Sequence, residues 1–339
     1  MKKTVKKAIS FICASALILA CLLAVSCQKR ETVVVYTSVD QFFSEKVFAE
    51  FERQTGIQVK AVYDIEASKT TGLVNRLIAE KDKPQADVFW NGEFSGTFTL
   101  KKEGVLQSAD ITVPSGLPSN FKDSEKQWYA FGGRARVIII NTNLISEQEA
   151  PSSLLDLAEK KFGNGKAAAA NPVFGTSATQ AAAFFMSMGG EKAKEYYRNL
   201  KDNGVEIVDG NSVVKDMVAD GRASYGLTDS DDALEAIESG KPVKMLIPDQ
   251  GEGQFGCIVI PNTAAVIKNA PNLENAKKFM EFLLSAETER LMAEIDWIQV
   301  TPLSGSGSLN IQKYFDIDFE KINNQIEAST AAMKDIFVQ

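Results

Sequence analysis

The chain has 339 residues, 45% of them hydrophobic, with a formal charge of −7 and no histidine. The acidic balance argues against nucleic acid as a partner and fits a cationic ligand or ordinary solubility. The missing histidine rules out His-based metal sites and His-dependent catalytic triads.

The first segment, "MKKTVKKAISFICASALILACLLAVSC", has a basic start, a long uncharged apolar core and small residues before Cys27. That layout describes a secretory signal over 1–26. Ala24-Val25-Ser26-Cys27 resembles the lipobox of a bacterial lipoprotein, with Cys27 as the lipidated residue; Ile18-Leu19-Ala20-Cys21 is a rival. A retained anchor helix is the alternative, because the apolar stretch is long enough to span a bilayer. Loss of the leader removes four lysines and takes the charge from −7 to −11. About 310 residues remain, enough for two lobes. Only Cys257 is left for the fold, in the apolar run "FGCIVIP", where it reads as a small buried hydrophobe.

"TVVVYTS", Thr32 to Ser38, is a β-branched run and predicts a buried strand. "DQFFSEKVFAEFERQTG" follows with Phe43, Val47, Phe48 and Phe51 at helical spacing and Gly56 to close it. "IQVKAVYD" predicts a second strand, "SKTTGLVNRLIAEKDKP" a second helix ending before Pro84, and "ADVFW" a third strand. Strand–helix–strand–helix–strand implies a mostly parallel sheet flanked by helices, with ligands beyond the strands' carboxyl ends. Those ends are Thr37–Gln41, Asp64–Lys69 and Asn91–Phe94. "GGRARVIIINTN" predicts a long strand that interrupts the rhythm. A second α/β unit follows: the loop and Ala-rich helix of "FGTSATQAAAFFMSMGG", the helix "EKAKEYYRNLKDNG", the strand "VEIVDG", the short helix "NSVVKDMVADG" and the strand "RASYGLT". "NLENAKKFMEFLLSAETERLMAEI" predicts one strong helix near the end. Two long apolar strands bracketing an inserted unit imply that the chain crosses between lobes twice. The expected division is 27–133 with 262–300 as one lobe and 137–258 with 301–339 as the other, crossing at 134–136 and 259–261.

Two stretches carry chemistry. In "GLTDSDDALEAI", Asp229, Asp231 and Asp232 fall together at a strand's carboxyl end. Crowded carboxylates need a cation, an arginine or a proton, so a hard cation with oxygen ligands or a ligand amine fits. The plain alternative is a solvated turn, with Asp232 as a helix N-cap. Thr228 and Ser230 flank the aspartates. In "FGTSATQ", Thr176, Ser177, Ala178 and Thr179 open a helix whose free N–H groups make an anion cradle, or an ordinary N-cap. Ser38, Glu66, Glu93 and Trp90 lie near other strand ends; Lys69 competes for Glu66 as a surface ion pair, and Trp90 reads as cleft wall or core. Arg134 and Arg136 alternate on the long strand, one to face the cleft as an anion partner and the other to pair on the surface.

"VVVYTS…FAEFERQTGIQV", "PQADVFW", "GGRARVIIINT" and "NAKKFMEFLLSAETERLM" together resemble the solute-binding proteins of bacterial ABC importers, in the ferric-iron-binding branch, from Thr32 to Ser304. The resemblance implies a two-lobed periplasmic-binding-protein fold of type II that closes on a solute and delivers it to a permease and ATPase. The expected mechanism is capture without catalysis, by a monomer that the leader and its lipid would hold outside the cytoplasm. Asp40 stands where the family often has histidine. Glu93 approximates the family carboxylate, one residue out of register. Ser230 and Asp231 occupy the places of adjacent tyrosines, for which the mid-helix Tyr196 and Tyr197 are no substitute. Thr176-Ser177-Ala178 and Asn211 match the family's anion-binding loop. A ferric-type cation would then take oxygens from Asp40, Glu93, Asp229 and Asp231, with phosphate or carbonate on the Thr176 turn. The missing tyrosines and histidine favour instead a phosphate- or phosphonate-bearing organic solute. A hydrolase is the weakest reading, since no G-x-S-x-G elbow is present. A structural or adhesin lipoprotein is also open.

Overall fold

A computed structural model describes residues 30–64, 71–163, 165–298, 300 and 309–338. The leader, Cys27, Glu66 and Lys69 lie outside these residues.

The β-branched run forms β1 (Thr32–Thr37), and its amphipathic successor forms α1 (Gln41–Thr55). Val47, Phe48 and Phe51 are buried along one face of α1, and Gly56 ends it in the left-handed conformation that glycine adopts freely. β2 (Gln58–Tyr63), α2 (Thr71–Ala79), β3 (Val88–Asn91) and α3 (Ser95–Lys102) complete the first unit. β1 pairs in parallel with both β2 and β3. The predicted parallel rhythm therefore holds; Val33, Val35, Tyr36 and Thr37 of β1 are buried, and Thr32 and Val34 are half-buried.

The long strand is β4 (Tyr129–Asn141), whose thirteen residues are all buried. Its register shifts between Phe131 and Gly133. Gly132 sits there at φ +27°, and a Cβ on it would overlap Ile298. The residues Tyr129 to Ala135 of β4 pair antiparallel with β9 (Val259–Val266), and Arg136 to Ile140 pair with β7 (Tyr225–Asp229). β9 also pairs with β3. Beyond β7 lie β5 (Ala167–Ala170) and β6 (Glu206–Val208), both added in parallel order, while β8 (Val243–Leu246) pairs with β4. Among the described residues the sheet runs β2-β1-β3-β9-β4-β7-β5-β6. It is a mixed sheet, because the two long strands run against the parallel units they join.

The second unit carries α4 (Gly175–Met188), α5 (Gly190–Asp202), α6 (Asn211–Ala219) and α7 (Ser230–Glu238). "KAAAANP" supplies β5, a strand with little intrinsic β-preference. It holds because all four alanines are buried between β6 and β7. Gly226 in β7 lets α6 approach, since a Cβ there would overlap Val214. The strong helix predicted near the end is two helices, α8 (Leu273–Leu283) and α9 (Ala286–Glu294). Ser285 breaks it: its Oγ accepts the Thr288 N–H at 3.1 Å and caps α9. A last helix, α10 (Phe319–Phe337), packs along α4 and α5. Cys257 is fully buried, as its apolar run requires. No described helix is long and apolar enough to cross a membrane.

Candidate functional site

A cavity of about 370 Å³ opens where the carboxyl ends of β1, β3, β5, β6 and β7 face one another. Ser38, Asp40 and Glu93 line it from the first unit, and Thr176, Asn211 and Asp231 from the second. Arg134 reaches it from β4. The starts of α1, α3, α4, α6 and α7 all abut it. A helix start leaves N–H groups without intrahelical partners and carries about half a positive charge. This convergence explains the acidic crowding: Asp40, Glu93 and Asp229 each sit immediately or closely before a helix start.

Glu93 accepts N–H groups of Ser95 and of Gly96 (3.0 Å), capping α3. It also accepts Asn91 Nδ2 at 2.7 Å and the Thr179 hydroxyl at 3.1 Å. The last of these joins α4 to the loop after β3. Thr179 thus meets Glu93 and is not a cavity-wall residue.

Asp229 lies at the centre of a buried network. Its Oδ1 accepts Arg136 Nη1 at 2.6 Å. Its Oδ2 accepts the Thr176 hydroxyl at 2.7 Å and Asn211 Nδ2 at 2.9 Å. Burial alone would raise its carboxyl, but Arg136 and Arg134 outweigh that and hold it below the usual aspartate range. Arg136 is fully buried, donating also to Gln180 at 2.9 Å and Asn211 at 3.0 Å. The expected surface pairing for one of the two arginines is thus corrected: both are buried, and Arg136 closes an internal ion pair. β4 leaves no solvent-facing side, because sheet partners and helices cover it.

Asp231 accepts Arg134 Nη1 at 3.0 Å through Oδ2, while its buried Oδ1 has no hydrogen-bond partner. Burial raises its carboxyl most, Arg134 pulls it down, Asp229 pushes it up, and the result is about 6. Arg134 donates Nη2 to the Gly92 carbonyl at 2.9 Å, and its guanidinium lies 4.2 Å from the Trp297 ring centre. Its pKa is raised: burial opposes the charge, but Asp231 and Asp229 overcome it. Arg134 therefore connects both sides of the cavity.

Asp229, Asp231 and Asp232 can each aim an oxygen within 4.8 Å of the others, a spacing compatible with one cation. Asp232 accepts the Thr228 hydroxyl at 3.1 Å, and Thr228 also donates to the Asn211 carbonyl. Ser230 accepts the Ala135 N–H at 2.9 Å and is buried behind the site. Thr176 and Ser177 do line the cavity at the start of α4; Ala178 lies behind them, buried. Trp90 is corrected to core: it is fully buried, with its ring edge-on to Phe48 at 5.7 Å. Alternation decides this, since Trp90 points to the face that α1 covers. Tyr196 and Tyr197 are buried against α4, away from the cavity, as their mid-helix places require.

Sequence reading missed Trp297, Asp209 and the aromatic wall of Phe42, Phe43 and Phe174. Asp209 had a signal, a strand end before a short helix in "VEIVDGNS". Phe42 and Phe43 had none distinct from core periodicity.

Residues 46–309 match the model of the bacterial extracellular solute-binding protein family. The chain belongs to that family. It is 27% identical over 285 residues to the major ferric iron-binding protein of Neisseria meningitidis serogroup B, covering 82% of this chain and 83% of that one. It is 27% identical over 282 residues to a putative 2-aminoethylphosphonate-binding periplasmic protein of Salmonella typhi, covering 79% and 78%. The structure of apo ferric ion-binding protein A from Pasteurella haemolytica superposes with a TM-score of 0.80 at 24% identity, over 91% of this chain and 100% of that one. The fold is the two-lobed one of periplasmic binding proteins, and this extracellular solute-binding protein works outside the cytoplasm.

Proposed function

We propose that this solute-binding protein serves an ABC importer and captures a ferric-type cation together with an anion. The observation that carries the reading is the Asp229–Asp231–Asp232 oxygen cluster facing Asp40 across a cavity ringed by helix starts. Carboxylate oxygens suit a hard cation. The helix starts at Thr176 and Asn211 suit the accompanying oxyanion, phosphate or carbonate. The ferric-binding relative supports the same assignment. Capture is by closure of lobe 27–133 with 262–300 on lobe 137–258 with 301–339, and excluding water strengthens the polar contacts. Lipid attachment at Cys27 would hold the monomer beside its permease and ATPase. No catalytic step is needed.

A second reading, a phosphonate- or phosphate-bearing organic solute, is favoured by the engagement of Asp229 with Arg136 and by the phosphonate-binding relative. One experiment separates the two. Ligand-stripped protein is incubated with ferric citrate or ferric phosphate, passed through gel filtration and assayed for iron; a parallel thermal scan uses 2-aminoethylphosphonate. Saturable retention of one iron per chain, lost in Asp231→Asn, supports the ferric reading. No retained iron, with a thermal shift by the aminophosphonate, overturns it.

A further inference from the structure

Behind the start of α4 lies a second, narrow cavity of about 10 Å³, lined by apolar residues of β5, β6, β7 and α5 and by four polar side chains, Arg136, Ser177, Gln180 and Tyr197. All four are buried. The volume is the room of one water molecule. Tyr197 belongs to α5, and its buried hydroxyl has no hydrogen-bond partner among the described residues. Burial pushes the phenol up, so it stays protonated and can donate. Arg136 and Gln180 draw it down, Gln180 from close by but outside hydrogen-bonding geometry.

Donors and acceptors around this cavity do not balance. Arg136 gives Nε to Gln180 Oε1 at 2.9 Å, and Nη1 to Asp229 at 2.6 Å and Asn211 at 3.0 Å. Its Nη2 carries two N–H groups. Among the described residues that nitrogen meets only the Ser177 hydroxyl, at 3.4 Å. Tyr197 adds a further O–H, while Gln180 Oε1 keeps one lone pair. A buried donor without an acceptor is destabilising, and buried groups so placed are commonly joined by ordered water. The consequence reaches the main cavity. Arg136 fixes Asp229, which in turn accepts the Thr176 hydroxyl at 2.7 Å and Asn211 Nδ2 at 2.9 Å, at the starts of α4 and α6.

We infer that this cavity holds one resident water, bound by Arg136, Gln180 and Tyr197, and that Tyr197 is a positioning residue: through the water it fixes the Arg136 guanidinium, and through Arg136 the Asp229, Thr176 and Asn211 side chains at the main cavity. The water accepts from Arg136 Nη2 and the Tyr197 hydroxyl and donates to Gln180 Oε1, close to the three bonds that buried waters usually make. Only the effect on solute binding rests on the ferric reading above. Crystal structures of the ligand-free protein and of Tyr197→Phe, both grown in bromide, test the site. Wild type should show one ordered water within hydrogen-bond distance of Tyr197 Oη and Arg136 Nη2, with no anomalous bromine signal, and the variant should lack it. Tyr197→Phe keeps the ring and removes only the hydroxyl, so packing is retained. Hydrogen exchange at the Arg136 Nε–H, followed by NMR, should quicken in the variant by up to about tenfold, as for the loss of one hydrogen bond. Ferric phosphate binding should weaken severalfold in the same variant. No solvent peak in wild type, or a bromide in its place, overturns the site. A peak that survives in Tyr197→Phe with unchanged Arg136 exchange overturns the role of Tyr197, as does unaltered ferric phosphate affinity. A wild type that binds no iron overturns the ferric reading, and the solvent peak and the Arg136 exchange then decide this inference by themselves.

Discussion

Arg136 has no exposed surface and Asp229 almost none, so they meet without water between them. Removing one partner of such a pair leaves a buried charge uncompensated, whereas the intact pair is only modestly favourable. Arg136→Leu is therefore expected to destabilise the protein by about 3–5 kcal/mol, read from denaturant midpoints. A surface pair such as Lys244–Glu147 should change stability by less than about 1 kcal/mol when cut. Asp231 has the opposite protonation behaviour to Asp229. Its carboxyl titrates at about 6 in the folded protein, against roughly 3.9 in an unfolded chain. Between those values the folded state holds a proton that the unfolded state has released, so this residue's contribution falls as pH rises from about 4 to about 6. Asp229, held low, contributes above the unfolded value and loses that contribution only as pH falls below it. Urea midpoints measured at about pH 4.5 and about pH 7.5 should show wild type losing stability relative to Asp231→Asn at the higher pH. An unchanged difference between the two proteins would refute the assignment.

α10 begins with Phe319, which packs on Phe94 at 5.0 Å, Phe121 at 5.9 Å and Trp128 at 6.2 Å. Its far end sets Phe337 against Tyr197 at 6.2 Å, and Lys201 donates to the Ile336 carbonyl. One helix thus touches the aromatic cluster behind Glu93 and the outer face of α4 and α5. Phe319→Ala should cost about 3–5 kcal/mol, as for other buried aromatics, and lower the cooperativity of unfolding; a midpoint unchanged within error would show that the cluster repacks. Helix boundaries were legible where local chemistry marks them. Gly56 ends α1 as its place after the apolar period predicts. The Ser285 break between α8 and α9 was written in "LLSAET", but the apolar period continues through it and masks the cap.

Across the whole molecule, the cavity is held by contacts between distant segments: Thr179 to Glu93, and Arg134 to both Asp231 and the Gly92 carbonyl. Thr179→Val removes the first of these, the loss of one hydrogen bond between the two sides. It should weaken ferric citrate binding by up to about tenfold, and X-ray scattering should show a smaller compaction on adding that ligand. Unaltered affinity would place the Thr179 contact in the open form as well. By itself, the order of apolar runs determined the alternating strands and helices, the two interrupting strands and the places where strands end in acids, because those features depend on spacing a few residues apart. Only the tertiary structure decided which acids are already neutralised, since Arg136 and Asp229 are 93 positions apart and meet through β4–β7 register. It also decided that Trp90 is core while Phe42 faces the cavity: both are aromatic residues at the carboxyl end of a strand or just beyond, and which face they present depends on what packs over them.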